Sequence, residues 1–168
     1  MNIVLIGYRG TGKSAVGRQV AERLGMTCVS MDARIVERAG ISIPAIVQQH
    51  GWSKFRDMET AVARELGQQD HLVIDTGGGV IERPENIPAL RANGLVIWLK
   101  ASVAVIVQRI QFGTERPALT PGKSFTQEVG EVLTRRLPLY QAVAQREIDT
   151  DRLTLDQVAE AVITAYRL

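Results

Sequence analysis

NIVLIGYRGTGKSAVG, residues 2–17, passes from an apolar run through glycines to a basic residue, a hydroxyl and the start of an amphipathic stretch. Gly7, Gly12, Lys13 and Ser14 satisfy the phosphate-loop pattern, in which a glycine-rich turn joins a strand to a helix. The glycines let the main chain curl until its N–H groups converge on phosphate oxygens, and the helix N-terminus near Lys13 adds its dipole. Lys13 places a point charge among the outer phosphates, and Ser14 offers a hydroxyl to Mg²⁺. Gly10, Thr11 and Ala15 complete the expected nucleotide cradle.

Outward from this stretch, short apolar runs alternate with helix-length amphipathic ones. TCVSM (27–31), HLVID (71–75), GLVIWL (94–99) and REIDT (146–150) join residues 2–7 as five expected strands. Between and after them lie expected helices at 13–24, 34–39, 52–67, 85–92, 103–111, 125–144 and 154–166. The strands read as continuously apolar, the mark of a parallel sheet covered on both faces. Right-handed crossovers then give an α/β fold with a doubly wound five-stranded parallel sheet. Two stretches break the plain alternation, the long helical insert 41–67 and the polar segment 112–124. Inserts of this kind tend to carry function.

The 168 residues suit one domain, divided into a core of 1–31, 71–111 and 125–168, a substrate-binding insert of about 32–67 and a lid of about 112–124. A 45% hydrophobic, 23% charged composition is that of a soluble globular protein. Cys28 stands alone, which excludes an internal disulfide, fits a reducing cytoplasm and reads as a small core residue. Residues 3–6 are too few for a membrane span or a signal peptide, and the net charge of +2 is interspersed rather than gathered into a nucleic-acid patch. His50 and His71 are isolated and read as surface or strand-edge residues, Trp98 as buried, and Pro84 and Pro88 as shaping a helix. Trp52 and Phe55 either pack the insert or face its ligand.

A phosphate loop alone does not separate a motor, a GTPase, a small-molecule kinase or a sensor. No Asn-Lys-x-Asp stretch reads guanine, which disfavours a switch protein. GYRGTGKSAVGRQVAERLG, MDARIVERAG, GWSKFRDMET, TGGGV, ERPAL and RRLPLY then occur in the order and approximate spacing of the shikimate kinase family, which the chain resembles over essentially its whole length. The resemblance implies transfer of a phosphoryl group from ATP, with Mg²⁺, to the 3-hydroxyl of shikimate in the route to chorismate, by a cytoplasmic monomer. The alternatives are another small-metabolite kinase, such as one for gluconate or a nucleoside, and a noncatalytic ligand sensor. Neither nucleic acid nor membrane is an expected partner.

The same resemblance assigns residues. Asp32 holds the accepting hydroxyl and can take its proton, though Asp is also a favoured helix cap. Arg56 and Arg136 grip the shikimate carboxylate as planar forks, and Glu59, three residues from Arg56, orients that group. Arg116 in ERPAL reaches over the phosphates, and Arg109 packs on adenine. Arg135 reads as a solvated charge. Gly77, Gly78 and Gly79 form a turn beside the phosphate loop where a side chain would collide, with Gly78 the expected contact. One departure stands out: where the family usually carries an acid-x-acid pair, this chain has Ser30, Met31 and Asp32. Asp75, the acid that ends the third apolar run, is expected either to take over the metal-side duty through water or to brace the turn.

Overall fold

The computed structural model describes residues 1–110 and 124–168. Five strands form one parallel sheet: β1 (Asn2–Ile6), β2 (Thr27–Ser30), β3 (Leu72–Asp75), β4 (Gly94–Lys100) and β5 (Arg146–Asp149), in the order β2-β3-β1-β4-β5. Seven helices lie among the described residues: α1 (Lys13–Leu24), α2 (Met31–Ala39), α3 (Ile43–Gly67), α4 (Asn86–Arg91), α5 (Val103–Ile110), α6 (Phe125–Val143) and α7 (Leu155–Arg167). β1 sits at the centre, all five residues buried, because both its faces are covered. The period of two divides its side chains. Ile3 and Leu5 join Val73, Ile97 and Leu99 under α1 and α7, while Val4 and Ile6 join Ile74, Val96 and Trp98 under the helices of the opposite face.

The two edge strands depart from the continuous burial expected of every strand. Ile148 is the buried residue of β5, whose other three are exposed, and β2 is half-buried at most. An edge strand has one neighbour and tolerates polar residues, which also blunt edge-to-edge pairing. Cys28, expected in the core, is half-buried for this reason. β2 stops at Ser30, and α2 begins three residues before the expected start. Ser30 is the cap: its hydroxyl accepts from the Ala33 N–H at 3.2 Å. Asp32 therefore lies within the first helical turn, and its capping reading gives way to that of Ser30.

The insert is helical as expected over 41–67, but its helix starts nine residues before the expected 52. α3 starts at Ile43, capped by Ser42 and led by Pro44, and is interrupted at Gly51, whose φ of 83° leaves helical geometry. That break hides the first two turns from a periodicity reading, although Ser-Ile-Pro is a start signal.

The connections place the chemistry. From β1 the chain travels to the edge strand β2, returns to β3, then crosses β1 to reach β4. The loops leaving β1 and β3, which are adjacent strands, thus diverge and open a crevice at their carboxyl ends. Arg9, Gly10 and Gly12 of the first loop and Thr76, Gly77 and Gly78 of the second line it. Thr76 ties the second loop to the first strand, its N–H and hydroxyl both donating to the Leu5 carbonyl at 3.2 and 2.8 Å.

Candidate active site

The first loop is shaped by glycines that no other residue replaces cheaply. Gly10 and Gly12 have φ of 82° and 93°, in the left-handed region. At Gly7, with φ of 145°, an added Cβ would stand 2.5 Å from the Leu99 carbonyl oxygen. Lys13, the first residue of α1, is buried and bends back over the loop, donating to the carbonyls of Gly7 at 2.7 Å and Tyr8 at 2.9 Å. The Thr11 hydroxyl donates to the Tyr8 carbonyl at 2.9 Å, closing the turn.

A cleft of about 640 Å³ opens above this loop. Gly10, Gly12, Lys13, Ser14 and Ala15 line one side, and Ser30, Asp32, Asp75, Gly77 and Gly78 the other. The Ser14 hydroxyl donates to Asp75 Oδ2 at 2.5 Å. Burial raises the Asp75 carboxyl above its ordinary value, offset by the Lys13 charge and the Ser14 hydrogen bond. Register explains the neighbourhood, because Asp75 pairs with Leu5 on β1 and with Ser30 on β2. Asp75 therefore stands beside the position whose acid is missing. Arg109, exposed on α5, donates to the Gly10 carbonyl at 3.1 Å and to the Thr150 hydroxyl at 3.4 Å, at the outer end of the cleft. Arg116 lies outside the described residues.

A second pocket, about 550 Å³, is walled by Trp52, Arg56, Glu82 and Arg136. Arg56 Nη1 donates to Glu59 Oε1 at 2.9 Å, with the Glu59 side chain wholly buried. The rings of Trp52 and Phe55 each lie 5.3 Å from the guanidinium, so these aromatics do both expected jobs: Phe55 is core, while Trp52 lines the pocket. Gly79 lies beneath, where a Cβ would come within 2.3 Å of both Nη atoms of Arg56. Arg136, buried on α6, donates through Nε to Glu82 Oε1 at 2.7 Å. Arg135 is exposed but not merely solvated, since its Nη1 donates to Glu82 Oε2 at 2.9 Å. Burial works to raise the Glu82 carboxyl, yet the two arginines prevail and hold it below its ordinary value.

Sequence reading missed Glu82 and Tyr140. Burial pushes the Tyr140 phenol well above its ordinary range, so it stays protonated and donates to the Gly78 carbonyl at 2.5 Å. Its ring stacks on Trp98 at 5.5 Å. The signal for Tyr140 was present in RRLPLY, because Arg136 and Tyr140 are four apart and share a helix face. Glu82 carried no local signal, its partner being 54 residues away.

The two regions thus comprise an anion cradle with hard oxygen ligands beside it and an arginine-walled pocket for a small anion. They meet at the glycine turn, since an added Gly78 Cβ would lie 3.5 Å from the Gly7 carbonyl oxygen and 3.4 Å from Arg136 Nη1.

Known proteins resemble this chain in sequence and in fold. The family model for shikimate kinase matches residues 9–167. A shikimate kinase of Thermodesulfovibrio yellowstonii is 41% identical over 165 residues, covering 98% of this chain and 94% of its own length. The solved shikimate kinase of Acinetobacter baumannii, in complex with shikimate, superposes with a TM-score of 0.94 at 34% identity, over 99% of this chain and 92% of that one. A gluconokinase of Sinorhizobium meliloti reaches a TM-score of 0.63 at 16% identity over 99% and 91% of the two chains, which shows a shared fold alone. Matched along nearly its full length by the family model and by relatives of this identity, the chain belongs to the shikimate kinase family.

Proposed function

We propose that this chain transfers the γ-phosphoryl group of ATP to the 3-hydroxyl of shikimate, giving shikimate 3-phosphate and ADP for aromatic amino-acid synthesis. Two arginines on separate elements, Arg56 of α3 and Arg136 of α6, wall one small pocket that adjoins the phosphate-binding loop, and this observation carries the reading. Two guanidinium forks orient a planar carboxylate in a way that lysines do not. Family membership implies a nucleotide co-substrate and suits a divalent metal.

The 3-hydroxyl oxygen bonds to the γ-phosphorus as the bond to the β,γ-bridging oxygen breaks. Asp32, half-buried in the wall of the cleft, holds this hydroxyl and receives its proton, which passes on to water. Lys13 exchanges its loop carbonyls for phosphate oxygens, and the loop N–H groups hold the remainder. Gly77, Gly78 and Gly79 admit the backbone close to both substrates. In this reading Arg116 neutralises the transferring group, and Arg109 lies against adenine. The protein works as a monomer in the cytoplasm; among the described residues no helix is long and apolar enough to cross a membrane.

Mg²⁺ fits the residues present. The Ser14 hydroxyl and the Asp75 carboxylate already touch, offering hard oxygens without a full protein cage, and Mg²⁺ favours such a site because it keeps several waters. When bound, it neutralises phosphate charge. Asp75→Asn weakens the binding of Mg²⁺ to the ADP complex, measured by calorimetry, while shikimate affinity stays near that of the unsubstituted chain. Unchanged Mg²⁺ binding returns Asp75 to bracing the turn.

The assay is coupled ADP release with shikimate, with gluconate and with no acceptor. Absence of shikimate-dependent release at saturating Mg-ATP would sink the reading.

A further inference from the structure

Glu82 lies outside every motif that points to the site. It ends a single 3-10 turn, Val80–Glu82, which follows the three glycines after β3. Its side chain is 20% exposed and forms part of the pocket wall beside Arg56 and Arg136. The two carboxylate oxygens are divided between two consecutive arginines of α6, Oε1 taking Arg136 Nε and Oε2 taking Arg135 Nη1. Consecutive helix positions point about 100° apart, so these two side chains converge only because one acid holds both.

Which edge of Arg136 is held matters. A guanidinium has five N–H donors in one rigid plane, and a carboxylate takes two of them side by side. With Nε committed to Glu82, two-point contact with an incoming carboxylate falls to the Nη1/Nη2 end. Nη1 lies toward Gly78, so this end is carried at the glycine turn where the pocket meets the nucleotide cleft. Arg56 repeats the device, one of its own N–H groups committed to the buried Glu59. Arg56 and Arg136, the two arginines assigned to the clamp, are thus each set by an acid, one three residues away on the same helix and the other far along the chain.

We infer that Glu82 is the positioning residue of the substrate-carboxylate clamp, acting through Arg136 by fixing the edge that the guanidinium presents. This rests on the shikimate reading. The experiment is steady-state kinetics on the full chain, varying shikimate at saturating Mg-ATP and then ATP at saturating shikimate. Glu82→Ala raises KM for shikimate about tenfold, the factor carried by one charge-assisted hydrogen bond, while kcat stays within about twofold and KM for ATP is unmoved. Glu82→Gln keeps an oxygen that accepts from Nε and restores most of the loss. Glu82→Asp, with its charge withdrawn by one methylene, moves KM in the same direction as Ala and keeps the test open if the Ala variant does not fold. Arg136→Lys has no Nε edge, so adding Glu82→Ala to it changes KM for shikimate by less than about twofold.

An unchanged shikimate KM in both Glu82→Ala and Glu82→Asp overturns the inference. So does a parallel rise in both KM values that persists undiminished in the Arg136→Lys background, which would make Glu82 a brace of the turn. Failure of the substrate reading would look different, because the unsubstituted chain would then show no shikimate turnover.

Discussion

Gly79→Ala is a one-carbon change whose effect the geometry assigns to another residue. Gly79 has φ of −93° and ψ of 13°, a conformation open to alanine, so backbone strain does not enter. The new Cβ would stand 2.3 Å from Arg56 Nη1 and Nη2 and 2.5 Å from Cζ. The guanidinium must withdraw by about 1 Å to restore van der Waals contact. It cannot swing freely, being flanked by Trp52 and Phe55 and bonded at 2.9 Å to Glu59, whose side chain is fully buried. Withdrawal breaks that bond and leaves a buried acid poorly compensated, which costs roughly 2 kcal/mol. For a chain of this size the melting temperature falls by about 4–8 °C. Misplacing a positioning group by 1 Å costs on the order of 10²-fold in rate, so kcat/KM for shikimate drops by about that factor. Thermal melts and coupled ADP release measure the two effects, with KM for ATP as the internal standard. Gly130→Ala is the control: no atom lies within 4 Å of its added Cβ, and removing a glycine from the interior of α6 stabilises by roughly 0.5–1 kcal/mol. A Gly79→Ala enzyme with ordinary shikimate kinetics would refute the view that Arg56 is held in place over this glycine.

Tyr140→Phe leaves the Gly78 carbonyl without its 2.5 Å donor inside a buried region, which costs about 1–3 kcal/mol in chemical denaturation. Arg109→Ala raises KM for ATP several-fold and leaves KM for shikimate unchanged, because Arg109 meets the phosphate loop and Thr150 rather than the arginine-walled pocket. Glu82 gives a pH signature. Its carboxyl is held below the ordinary value of 4.5, so its stabilisation is complete above that pH and is lost as pH falls through the lowered value. Denaturation midpoints on the acid side therefore fall less steeply in Glu82→Gln than in the unsubstituted chain.

The nucleotide half of the site was legible because its parts are local. Gly7 to Ser14 lie within one turn between a strand and a helix, and their spacing alone dictates that N–H groups converge. α1 was readable to both ends, since a glycine in the left-handed conformation precedes it and Gly25 ends it in the same way. The arginine pocket was legible only through resemblance. Arg56 and Glu59 announce a pair by their spacing, but a pair at that spacing is ordinarily a surface one, and only tertiary packing, with Gly79 against the guanidinium, makes it buried. Glu82 was hidden because hydrogen bonds between side chains far apart in sequence leave no periodic trace. The start of α3 escaped for a different reason: Gly51 breaks the 3.6-residue period, so the helix was expected from residue 52 although the insert 41–67 as a whole read as helical. Edge burial was misjudged where strand type was right, because apolar character reports strand propensity before it reports position in the sheet.

The hold of Lys13 on the carbonyls of Gly7 and Tyr8 bears on how experiments with this enzyme are designed. The ammonium group is a structural cross-link within the loop as well as the proposed ligand for phosphate. Removing it to make an inactive reference protein would also release the turn that carries Gly10 and Gly12, confounding lost chemistry with a collapsed cradle. Asp32, whose position in α2 is set by the Ser30 cap and which we propose receives the hydroxyl proton, offers the cleaner reference: Asp32→Asn keeps the side-chain volume and leaves the nucleotide loop cross-linked.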